Sequence, residues 1–139
     1  MEAEHILNRL NEPQKEAVTS GNQPVMVVAG AGSGKTRVLV HKVAWLIAVE
    51  SIAPQNIFAV TFTNKAATEM QTRIQKMISA PARGMWVGTF HGLAHRFLRL
   101  HWQEAGLQQG FQILDSDDQY RQIRRLLKSL GLDETQCPP

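Results

Sequence analysis

A single cysteine, Cys137, among 139 residues excludes an internal disulfide and a cysteine-based metal centre. The longest unbroken apolar run, Val43 to Val49, is seven residues, far short of a membrane span. No basic start followed by an apolar stretch and a small-residue cleavage site follows Met1, so no secretory signal is expected. Charged residues are scarce at 19%, while apolar residues reach 43%, which excludes a disordered tail and allows one buried core. These absences predict a cytoplasmic protein with no membrane partner.

The charge that is present is unevenly placed. Residues 1–28 carry net −2, residues 29–89 net +5, and residues 90–139 net zero. A polyanion is therefore expected at the middle third, although a solvated basic face would give the same count.

Local signals order the elements. Asn11-Glu12-Pro13-Gln14 reads as a helix start, with Asn11 as N-cap, Gln14 three residues on and Gly21 as the stop. Val25 to Ala29 reads as a buried strand. Lys35 to Glu50 follows as a helix, with Leu39, Val43, Leu46 and Ile47 on one face. Ile57 to Thr61 and Met85 to Val87 read as further strands. Helices are expected over Asn64 to Ile78 and about His91 to Glu104. Three units of ~30 residues predict right-handed crossovers in a parallel sheet. Beyond residue 90 only helices are expected. The last has Ser116 and Gln119 spaced as a capping box and Tyr120, Ile123, Leu126, Leu127 and Leu130 on its apolar face. With three strands and no closing element, the chain reads as a truncated protein.

Ala29-Gly30-Ala31-Gly32-Ser33-Gly34-Lys35-Thr36 lies between a strand signal and a helix signal, the setting of a P-loop. Glycines there let backbone N–H groups converge on phosphate oxygens at a helix N-terminus. Lys35 can reach the β- and γ-phosphates of ATP, and the Thr36 hydroxyl can ligate Mg²⁺. Position 29 departs from the strict motif, which has glycine there. The chain contains no aspartate before Asp115, and Phe111 to Asp115 is a poor strand, so a Mg²⁺-holding carboxylate is expected to be missing. His91 and His95 share a helical face but lack a third ligand for zinc.

Four segments in order resemble superfamily 1A DNA helicases. They are Leu10 to Val18, Ala29 to Thr36, Thr61-Phe62-Thr63-Asn64-Lys65-Ala66-Ala67, and Gly88-Thr89-Phe90-His91-Gly92-Leu93-Ala94-His95-Arg96. Phe111 to Asp115 fits the same pattern, and that family also carries alanine at the position of Ala29. The resemblance implies a P-loop NTPase of α/β class, with a partial RecA-like parallel sheet over residues 1–89. An all-helical insertion would begin over residues 90–139. It implies ATP and Mg²⁺ as cofactors and Lys35 and Thr36 as catalytic groups. Gln14 would lie on the adenine edge, and Arg37 near the base. Phe62, Thr63, Asn64, Lys65, Thr89 and His91 would form a single-stranded DNA track. The implied partners are single-stranded DNA, duplex junctions, the remainder of the helicase chain with its second RecA-like domain, and repair proteins. The activity implied is ATP-driven translocation and unwinding in repair, with this fragment alone inactive. A nucleoside-kinase-like phosphotransferase and a non-catalytic, nucleotide-gated DNA-binding module are the rivals. Phe62 as a core aromatic and Thr63 as a plain N-cap also stay open.

Overall fold

The computed structural model describes residues 2–21, 23–78 and 84–132, so Arg83 and Cys137 lie outside the described residues. The chain divides into two compact units, Met1–Phe97 and Leu98–Pro139.

The first unit begins with α1 (Glu2–Leu7), which the sequence reading missed, and α2 (Glu12–Thr19). The N-terminus of α2 is closed by a full capping box: the Asn11 side chain accepts from the Gln14 N–H, and Gln14 Oε1 accepts from the Asn11 N–H. Two orphan donors are thereby satisfied with four consecutive residues, which is why this start was legible. Gly21, at φ +64°, follows the C-cap. Next comes α3 (Lys35–Ala48), then a 3₁₀ turn at Pro54–Asn56. The strand β1 (Phe58–Thr61), α4 (Asn64–Met77) and the strand β2 (Trp86–Thr89) form one crossover unit. The strands are parallel, in the register Phe58–Trp86 to Thr61–Thr89. The helix α5 (Phe90–Leu100) starts with no residue between it and β2.

One face of the strand pair is buried. Ala59 joins Val40, Val43 and Ala44 of α3, Met70 and Ile74 of α4, and Ile6 of α1 in the main core. Ile74 is fully buried, and truncating such an isoleucine to alanine costs about 2–5 kcal/mol. A smaller cluster of Leu10, Val18 and Val38 fixes α2 on α3. Because α3 packs against α1, α2 and α4, its buried positions are Val38, Val40, His41, Val43 and Ala44. Leu39 is exposed, so the single apolar face expected for this helix is corrected. The helix also ends at Ala48, short of Glu50.

The largest correction concerns Val25 to Ala29. This segment is not a strand: no described residue pairs with it, and Met26 and Val28 are 86% and 83% exposed. An extended apolar run becomes a strand only when a neighbour supplies ladder hydrogen bonds. The sheet therefore has two strands, not three, among the described residues.

In the second unit α6 (Ser116–Ser129) is capped one residue earlier than expected. Asp115 Oδ1 accepts from the Asp118 N–H at 2.7 Å, so Asp115, and not Ser116, is the N-cap. Aspartate and serine are equally good caps, and local spacing did not separate them. No residue of α6 is buried, and Tyr120, Leu126 and Leu130 of its apolar face are exposed. Residues 101–106 form turns, so α5 stops at Leu100 and not at Glu104. Phe111 to Asp115 is not a strand.

Candidate nucleotide and nucleic-acid site

The glycine-rich loop runs directly into α3. Gly34 is the N-cap, at φ +90°, with no side-chain cap on the first N–H groups of the helix. A side chain at this position is strained, and a Cβ would come to 3.0 Å of Gln14 Nε2. Gly32 also has positive φ, at +73°. The uncapped N-terminus leaves donors directed out of the helix start, where an anion is favoured.

Lys35 folds back over the loop. Its Nζ donates to the carbonyls of Ala29 at 2.8 Å and Gly30 at 2.6 Å. An ammonium has three donors, so one remains. Ser33 Oγ also donates to the Gly30 carbonyl, at 2.7 Å. The loop is thus closed on itself by side chains from its own end. Thr36 and Ala31 are exposed beside it.

Gln14 reaches this loop from α2. Its Nε2 donates to the Ser33 carbonyl at 3.3 Å while its Oε1 serves the capping box. An amide carries two donors and two acceptor sites, so one of each is left over. A cavity of about 450 Å³ opens here, lined by Asn11, Gln14, Ser33, Lys35 and the apolar segment Val25 to Ala29. Arg37 does not line it. The Arg37 side chain lines another cavity, together with α1 and α4.

A second group gathers at the C-terminal ends of the strands. Phe62 follows Thr61 and is 90% exposed, which removes the core-aromatic reading. Its ring lies 5.9 Å from that of Phe90, tilted by 55°; Phe90 follows Thr89, the partner of Thr61. Thr63 caps α4 by accepting from the Ala66 N–H at 3.2 Å. Thr89 Oγ1 accepts from the Gly92 N–H at 3.1 Å. Asn64, Lys65 and His91 are exposed around them. The structure therefore brings Phe62, Thr63, Thr89 and Phe90 to one end of the sheet. Phe90 was not singled out by sequence reasoning, although its place one residue beyond the second strand is the same signal that marked Phe62.

No group of three or more His, Cys, Asp or Glu side chains able to hold a metal exists among the described residues. Thr36 is the loop's one hydroxyl at the helix start. A Mg²⁺ ion there would draw its other ligands from phosphate oxygens and from groups elsewhere. No helix among the described residues is long and apolar enough to cross a membrane.

The chain is similar to DNA helicase II of Escherichia coli, 57% identical over all 139 residues, which cover 19% of that protein. It is 54% identical, over its whole length, to DNA helicase II of Haemophilus influenzae, covering 20% of it. It is 42% identical over 134 residues, 96% of the chain, to the ATP-dependent DNA helicase PcrA of Staphylococcus aureus, covering 18% of it. The chain thus spans about a fifth of the length of these relatives. The family profile of the UvrD/REP helicase N-terminal domain matches residues 10–139, and the chain belongs to that family.

Proposed function

We propose that this chain is the nucleotide-binding, N-terminal part of an ATP-dependent DNA helicase that moves along single-stranded DNA and unwinds duplex DNA in repair. The relatives are DNA helicases by name, and the observation that carries the reading is the seat of Lys35. A lysine held on loop carbonyls at an uncapped helix N-terminus suits an incoming polyphosphate.

ATP would supply the phosphoanhydride bond whose cleavage drives the cycle. Lys35 would leave the Ala29 and Gly30 carbonyls for the β- and γ-phosphate oxygens and stabilise charge there as the bond breaks. Gly30, Gly32, Ser33 and Gly34 would present N–H groups to the phosphates, and Thr36 would hold Mg²⁺. Gln14, with its remaining donor and acceptor, would read the adenine edge. Arg37 would have to turn from its present cavity to meet the base. The residue that activates water is expected in the remainder of the helicase chain.

Single-stranded DNA would cross the C-terminal ends of β1 and β2. A base cannot enter between Phe62 and Phe90, because two stacking contacts of ~3.5 Å each need more than their separation. It would stack on the outer face of Phe62, with Thr63, Asn64, Lys65, Thr89 and His91 toward the strand. In this reading residues 1–89 belong to the first RecA-like domain and residues 90–139 open a helical insertion. The compact units divide further along, inside α5. Duplex junctions and repair proteins would be further partners, and the setting cytoplasmic.

Steady-state ATPase of the full-length protein tests this. Turnover stimulated by single-stranded DNA is expected, with none from the 139-residue chain alone. Turnover indifferent to DNA would overturn the helicase reading in favour of a phosphotransferase.

A further inference from the structure

Three helices of the first unit converge on a cavity from which the helicase reading draws Arg37 alone. It measures about 280 Å³, and six of its lining residues are basic or imidazole groups: His5 and Arg9, Arg37 and His41, and Arg73 and Lys76. Val40 and Met77 complete its wall. None of these residues lines the cavity beside the phosphate loop.

The cations are poorly compensated. Arg73 is paired with Glu69, one turn earlier on α4. Arg9, Arg37 and Lys76 make no hydrogen bond or ion pair among the described residues. Four permanent charges against one carboxylate leave about +3 around one concavity, and a matching anion would relieve their repulsion. Burial, with Arg37 and His5 nearby, holds the His41 pKa below its ordinary value, against the hydrogen bond of Nδ1 to the Ile6 carbonyl.

We propose that this cavity, formed by α1, α3 and α4, is a second anion site that takes phosphate groups, separate from the phosphate loop. A guanidinium fork can take phosphate oxygens in bidentate geometry; those of Arg9 and Arg37 have no other partner among the described residues, and Lys76 adds a point charge. Phosphate suits the site better than the carboxylates of an acidic peptide, because phosphates concentrate more charge and more acceptors in a small concave volume. The phosphates can belong to a nucleic-acid backbone or to a free polyphosphate. The proposal goes beyond the ATPase and DNA-track reading and does not require it.

The test uses the full-length protein carrying Lys35→Ala, so that the phosphate loop is impaired, with and without Arg9→Ser and Lys76→Ser. Both added changes are at exposed positions outside the proposed nucleotide and DNA sites, and thermal melting should be unchanged. Calorimetric titration of inorganic pyrophosphate should show binding that Arg9→Ser/Lys76→Ser weakens by about tenfold or more. A parallel titration of an oligo-dT strand against salt separates the sources. If the strand occupies the cavity, the double change flattens the slope of log affinity against log salt by about 1.4, two phosphate contacts. An unchanged slope with lost pyrophosphate binding assigns the site to a free polyphosphate. With Lys35 restored, Arg9→Ser/Lys76→Ser should leave the basal ATPase intact. Pyrophosphate affinity and salt slope that both ignore the double change would overturn the proposal. So would binding of a poly-glutamate peptide that depends on Arg9 and Lys76 where neither phosphate probe does.

Discussion

The Gln14 amide donates to the Ser33 carbonyl at 3.3 Å, so the residue that completes the N-cap of α2 also holds the glycine-rich loop. Helix start and loop are thereby tied through one side chain. Gln14→Ala should remove both contacts. A loss of about 1 kcal/mol of stability is expected from the cap, measured by thermal melting. ATP affinity should fall as well, because the loop loses its external tether. A variant that melts lower but binds ATP as tightly as the parent would show that the tie has no bearing on the nucleotide.

Lys35→Ala in the full-length protein should abolish ATP hydrolysis, since no other cation among the described residues is seated on the loop carbonyls. Single-stranded DNA binding without nucleotide should persist. ATPase within a few-fold of the parent would sink the phosphate-loop assignment.

Phe62→Ala should leave the melting temperature nearly unchanged, because the ring is exposed and leaves no cavity behind. Affinity for single-stranded DNA should drop by ~1–3 kcal/mol if the ring stacks on a base, and the loss should be nearly independent of salt. Lys65→Ala should instead flatten the salt slope by ~0.7, the value for one phosphate contact. DNA affinity untouched by either change, over a full salt titration, would remove the track from this end of the sheet.

His41 gives the first unit a pH dependence of defined sign. Its pKa in the folded chain lies below the ordinary 6.5, first through burial and further through Arg37 and His5. The groups around the cavity it shares are His5 from α1, Arg9 from the turn after it, Arg37 from α3, and Arg73 and Lys76 from α4. Below the ordinary value the unfolded chain takes up a proton that the folded chain refuses, so stability falls as pH drops. Above it both states are neutral and this contribution is flat. Melting at several pH values from about 7.5 to about 5.5 should show a steeper acid decline in the parent than in His41→Gln, which keeps a donor for the Ile6 carbonyl. Equal declines would assign the acid sensitivity to other groups.

What could be read beforehand depended on how local each cause is. The capping box at Asn11 and Gln14 lies within four residues, and the glycine-rich turn into α3 is contiguous, so both were legible. The apolar periodicity of α4 survived as Met70, Ile74 and Ile78 in the core. Val25 to Ala29 misled because strandness belongs to a pair of segments, and its own residues say nothing of a partner. The six-residue α1 carries no cap signal, and Ile6 alone reveals its role, by being buried. Phe62 was undecidable from sequence, since a strand-end aromatic serves a core or a surface equally. The basic cavity was invisible for a different reason: its cations come from the turn after α1, from α3 and from α4, spread over more than sixty residues.

The seat of Lys35 also sets a threshold of selectivity. Two of the ammonium's three donors are held by carbonyls, and moving them to oxygens that are no better acceptors gains nothing. Exchange runs downhill toward anionic oxygens, which set a full negative charge against the ammonium where a carbonyl offers only a dipole. A nucleoside or a neutral ester arriving at the loop should find its lysine occupied and leave. A triphosphate, with several anionic oxygens converging on the same place, can displace it. Under the proposed function the resting contact would act as a filter on the charge of whatever arrives, before any contact with the base has been made.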